Sequence, residues 1–99
     1  MATVNRTALE RWRTLDAVTV LTAVAEYAKL DPTFAPTKCD GTTRWHISVA
    51  GLDFELLLTG SKFWDTRSSV GGGGAVDLVM HLVGVGFKNA VRLLRNANV

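Results

Sequence analysis

Phe63-Trp64-Asp65-Thr66-Arg67-Ser68-Ser69-Val70-Gly71-Gly72-Gly73-Gly74-Ala75-Val76-Asp77-Leu78 is the stretch on which the reading of this chain turns. It predicts a short aromatic strand, a polar turn, a glycine loop and then an abrupt helix start. Four consecutive glycines permit φ > 0 and a close approach of backbone to a neighbour. A helix N-terminus directly behind them has unpaired N–H groups and a partial positive charge, which suits a phosphate or a carboxylate. Gly72, Gly73 and Gly74 are therefore candidates for a phosphate-holding loop. They equally fit a structural role, letting helix and sheet pack closely.

Working outward, the segments on either side supply the rest of the fold. Residues 44–50 alternate, with Trp45, Ile47 and Val49 on one face and Arg44, His46 and Ser48 on the other. Gly51 marks a turn, after which Leu52, Phe54, Leu56 and Leu58 oppose Asp53, Glu55 and Leu57. Gly60-Ser61 turns the chain into a short strand over residues 62–65, so a three-stranded antiparallel meander is expected. After the glycines, Ala75, Leu78, Val79 and Leu82 repeat at helical spacing, and Gly84-Val85-Gly86 interrupts them. Phe87, Ala90, Val91 and Leu94 form the apolar stripe of a last helix, and Lys88, Arg92 and Arg95 its basic stripe. At the other end, Thr7 and Glu10 have capping-box spacing for a short helix. A longer helix is expected over residues 15–30, with Leu21, Val24, Ala25 and Ala28 as its stripe and Asp31-Pro32 as its stop. Turn formers fill residues 33–43.

Composition bounds the function. The 99 residues are 47% apolar and 20% charged, which fits one globular domain over residues 1–99. Eleven basic against nine acidic residues leave +2, too mild to argue for nucleic acid without a localised patch. A single cysteine, Cys39, excludes an internal disulfide and a four-thiolate zinc site. No apolar run reaches the roughly 18 residues of a membrane span. No signal-peptide pattern opens the chain, so a cytoplasmic protein with no membrane partner is expected.

Three phrases carry a family resemblance. Residues 15–30, ending Glu26-Tyr27-Ala28-Lys29-Leu30, resemble the opening helix of the zinc-binding domain of bacterial replicative primases. Gly73-Gly74-Ala75-Val76-Asp77-Leu78-Val79-Met80-His81-Leu82 is similar to the phrase after that domain's last zinc knuckle. Gly84-Val85-Gly86-Phe87-Lys88-Asn89-Ala90-Val91-Arg92-Leu93-Leu94 looks like its closing helix. The knuckles would fall near residues 49–51 and 65–70, and neither holds a cysteine. The resemblance is thus to metal-free variants found beside primase or Toprim modules on plasmids and phages. It implies an α+β fold: a small antiparallel β-meander, a zinc-ribbon-like sheet without zinc, packed against N- and C-terminal helices. It also implies no metal, no cofactor, and a role in DNA replication or conjugation of a mobile element. The end of the chain just past the last helix fits both an excised domain and a small complete protein.

Single residues have competing readings. Cys39, His46 and His81 would need a carboxylate such as Asp65 or Asp40 to complete a zinc site. Otherwise His46 is an exposed strand residue and His81 a helix-surface one. Ala75-Val76 stands where a P-loop needs Lys-Ser or Lys-Thr, so ATP hydrolysis is not expected. No acid–base or nucleophile set appears at suggestive spacing, which argues against an enzyme. Trp64, flanked by Lys62 and Arg67, is a candidate base-stacking platform. Lys88, Arg92 and Arg95 are candidates for phosphate contact. The expectation is a non-catalytic module for single-stranded DNA, acting beside a primase, helicase or relaxase. The alternative is an adaptor docking on such an enzyme without touching DNA.

Overall fold

The computed structural model describes residues 6–35 and 41–99. The chain is α+β, with helices from both ends of the chain packed on one antiparallel sheet. Helices α1 (Arg6–Thr14) and α2 (Ala17–Val24) come first. Five strands follow: β1 (Tyr27–Leu30), β2 (Thr43–Val49), β3 (Leu52–Thr59), β4 (Lys62–Asp65) and β5 (Val70–Gly73). They lie side by side in chain order, every neighbouring pair antiparallel. Helix α3 (Ala75–Val79) continues as a π-helical segment, Met80–Gly84, before α4 (Phe87–Asn96).

The central hairpins follow from local chemistry. Ala50 and Gly51 link β2 to β3 with φ of 52° and 80°, the two positive values of a type I′ connection matched to sheet twist. The alternation in β2 and β3 sorts their side chains by face. Ile47, Val49, Leu56, Leu58 and Phe63 point into the core, where Trp12 of α1, Val20 and Leu21 of α2 and Leu78 of α3 meet them. Leu82, Ala90, Val91 and Leu94 extend that core away from the sheet. The opposite sheet face carries Tyr27, Lys29, Arg44, His46, Glu55, Leu57, Lys62 and Trp64, following the strand register.

Two expectations give way. The helix over residues 15–30 ends at Val24, and residues 27–30 form β1 instead. Tyr27 and Lys29 face outward while Ala28 pairs across Ile47, so the segment has period two once β2 is there to receive it. The Glu26 carboxylate also fixes the exit, accepting the Ala50 N–H at 2.6 Å. Asp31 still closes the element, but as the end of a strand: its N–H donates to the Arg44 carbonyl at 2.8 Å.

The glycine stretch also departs from the expected loop. Residues 70–73 are an edge strand rather than a loop, extending the meander from three strands to five along with β1. The missing side chains explain it. A Cβ on Gly71 would lie 2.7 Å from Cε3 of Trp64, and one on Gly72 would lie 2.9 Å from Cε1 of Phe63. The two rings of β4 thus occupy, on opposite faces, the space that β5 leaves vacant. Gly74 alone takes φ > 0, at 91°, turning the chain into α3 beside the backbone of Arg13.

Candidate nucleic-acid interface

The glycine stretch is not shaped as a phosphate cradle. The Gly74 N–H donates to the Ser61 carbonyl at 2.9 Å, and the Gly73 N–H to Oδ2 of Asp77 at 3.4 Å. The Asp77 carboxylate therefore stands where a phosphate would have to approach. Gly72 packs against Phe63 and the Asp77 Cβ. The three candidates Gly72, Gly73 and Gly74 serve close packing of sheet and helix.

The turn between β4 and β5 is held by a buried polar anchor. Asp65, at the end of β4, is 3% exposed, and its Oδ2 lies 2.6 Å from Nε2 of His81 in the π-helical segment. Its Oδ1 accepts the backbone N–H groups of Arg67 at 2.9 Å and Ser68 at 3.2 Å, closing the turn between β4 and β5. Burial pushes the Asp65 pKa up, but the hydrogen bonds from His81, Ser68 and Arg67 outweigh it and hold the carboxyl below its ordinary value. The imidazole sits between Phe54 and Phe63, with ring centroids 5.8 and 5.4 Å away. His81 is therefore a partly buried tie between sheet and helix, not a helix-surface residue.

His46 lies on the outer sheet face. Its Nε2 is 3.1 Å from Oδ2 of Asp31, which also takes Nε and Nη2 of Arg44 at 2.9 and 2.8 Å. The Asp31 pKa is lowered strongly: Thr33 donates its hydroxyl and N–H to Oδ1, and His46 and Arg44 add to this. With the two imidazoles on opposite sides of the sheet, one ion cannot bridge them. Among the described residues no three His, Asp or Glu side chains converge as a metal site, and Cys39 and Asp40 lie outside those residues.

The basic candidates fall into two groups. Phe63 is buried and Trp64 is 45% exposed, as their alternation predicts. Lys62 shares the outer face with Trp64, but Leu57 and Gly71 are the cross-strand neighbours of the indole. Arg67 reaches the Asp53 carbonyl at 3.4 Å. Charges of both signs surround this patch. Lys88, Arg92 and Arg95 lie on the exposed side of α4, whose other side packs into the core. The sheet and core therefore separate them from Trp64, and the six residues do not form one surface.

Where α4 meets α1, basic residues from the two ends of the chain come together at Arg11 and Arg95. The Trp12 indole, fully buried, donates to the Val99 carbonyl at 2.8 Å, and Arg11 donates to the same oxygen at 3.1 Å. A cleft of about 490 Å³ there is lined by Arg11, Trp12, Arg95 and Asn98. On these two helices Arg6, Arg11, Arg13, Lys88, Arg92 and Arg95 are all exposed, against one acidic residue, Glu10. Sequence counts by halves hid this, because the two helices come from opposite ends of the chain. Phe87 was hidden too: its stripe mates Ala90, Val91 and Leu94 are buried, yet it is 45% exposed.

No family model matches this chain, and neither the curated proteins nor the solved structures give a match. The likeness to primase zinc-binding domains rests on the three phrases quoted above.

Proposed function

We propose that this chain is a non-catalytic module that binds single-stranded DNA across the face formed by α1 and α4. The observation that carries the reading is the concentration of six exposed basic side chains against one acidic on those two helices. Five basic against eight acidic residues in the rest of the chain leave it net negative, so a polyanion gains from counterion release on these helices and not elsewhere. The exposed Phe87 at the start of α4 supplies a π-surface that a single strand can use and a closed duplex cannot. The resemblance to primase domains supplies the setting: replication or conjugation of a mobile element, beside a primase, helicase or relaxase.

The test is a titration of the full chain with a labelled oligonucleotide at about 50 and 200 mM salt. Binding at low salt that weakens at high salt supports the reading. Absence of binding at low salt removes it.

A second reading has its own observation. Trp64 on the outer sheet face, beside Leu57 and Gly71 and among charges of both signs, suits a protein partner better than a phosphate backbone. An adaptor that docks on a replication enzyme through Trp64 is compatible with DNA binding on the helices. Loss of enzyme capture in Trp64→Ala, with DNA affinity intact, distinguishes the two surfaces.

A further inference from the structure

Beside the basic face lies a groove of about 470 Å³ between α1, the start of α3 and the first residue of α4. Leu9, Val76, Met80 and Phe87 make its apolar walls, and Arg13, Asp77 and Gly73–Gly74 complete the lining. We propose that this groove receives one unstacked nucleobase of the bound strand, with Phe87 as the stacking surface and Arg13 contacting the adjoining phosphate. The inference rests on the nucleic-acid reading and locates its site.

Three observations carry it. Phe87 occupies the core stripe of α4 but remains 45% exposed where it lines the groove. The volume lies in the range of small-ligand pockets and accommodates a flat heterocycle. Charge decides between occupants. An apolar peptide would satisfy the walls alone, whereas a nucleotide satisfies the walls and also the exposed Arg13 among them. Asp77, whose Oδ2 accepts the Gly73 N–H, places in the lining a carboxylate that can accept a hydrogen bond from an exocyclic amine of a base.

The experiment compares the full-length protein with Phe87→Ala, Phe87→Leu, Phe87→Trp and Arg13→Ala. Each is titrated with a fluorescent oligonucleotide of about 12 nucleotides, inside the usual footprint of single-strand binders. Loss of one stacking contact should weaken Phe87→Ala by about 5- to 150-fold with its salt dependence unchanged. Phe87→Trp should restore affinity and Phe87→Leu should not. Arg13→Ala should lower the salt slope by about 0.7, as expected for one phosphate contact on a single strand. Thermal melts of each variant confirm that it is folded. Wild-type affinity in Phe87→Ala, or full rescue by leucine, overturns the groove while leaving the helix face as the binding surface. If the wild-type protein binds no oligonucleotide, the groove and the broader reading both fall. An apolar peptide that binds the groove when DNA does not would show that a protein segment is the true occupant.

Discussion

Gly72 shows how a single missing side chain shapes this fold. An added Cβ would press on Cε1 and Cζ of Phe63, at 2.9 and 3.1 Å, and meet the Asp77 Cβ at 3.4 Å. Phe63 is buried and cannot swing away. Gly72→Ala should therefore destabilise the protein by about 1–3 kcal/mol, read as a lower denaturant midpoint with an unchanged m-value. The Asp65–His81 tie makes a second prediction. Removing the imidazole leaves Oδ2 of the buried Asp65 carboxylate without its partner, and His81→Ala should cost about 1–3 kcal/mol. Because the folded-state pKa values of Asp65 and Asp31 are both depressed, their stabilisation is complete above the unfolded carboxyl value of about 4. It is lost as pH falls through the folded values. Melting temperature should accordingly drop with acidification below about pH 4, and less steeply in Asp65→Asn. A melting temperature independent of pH in that range would contradict this assignment. In the chain Asp65 and His81 come together only as possible members of a zinc site, since nothing local connects Asp65 to a histidine 16 positions away as a direct hydrogen-bonded pair.

At the scale of elements, local chemistry sufficed where the turn and the alternation were both local. Strand β4 spans the expected residues, and β2 and β3 differ from expectation by a residue or so, because Gly51 and Gly60 punctuate alternating runs. Helix α4 was legible from its two stripes. Strand β1 was not: residues 15–30 keep helical spacing with no glycine or proline, and only pairing with β2 pulls residues 27–30 into extended form. Strand β5 was not either, since glycine has no alternating pattern to read, and its place is set by the rings of Phe63 and Trp64. The β2–β3 turn is open to improvement. Ala50 holds φ of 52°, a region that costs a Cβ-bearing residue about 1–2 kcal/mol, and asparagine tolerates it better. Ala50→Asn, giving the favoured Asn-Gly pair, should raise stability by about 0.5–1 kcal/mol in chemical denaturation. A loss of stability would mean that the turn is not of the I′ type.

Over the whole molecule, two surfaces with different chemistry lie on opposite sides of one core. The outer sheet face mixes charges and holds Trp64; the helix face is basic and holds Phe87. The sequence named Lys62, Trp64 and Arg67 together with Lys88, Arg92 and Arg95, and could not tell that three stand on each side. It also gave no sign that α1 would bring Arg11 to the cleft that Arg95 lines. Such adjacency comes from tertiary folding of the two chain ends, not from any local pattern. The described residues include no helix long and apolar enough to cross a membrane. The most direct measurement pairs two double charge reversals, Lys88→Glu with Arg92→Glu on α4 and Lys62→Glu with Arg67→Glu on the sheet side. Each is titrated with single-stranded DNA across a salt series. The account predicts that the α4 pair abolishes tight binding and flattens the salt dependence, while the sheet pair binds as wild type. Loss of binding in the sheet pair with the α4 pair unaffected would contradict it.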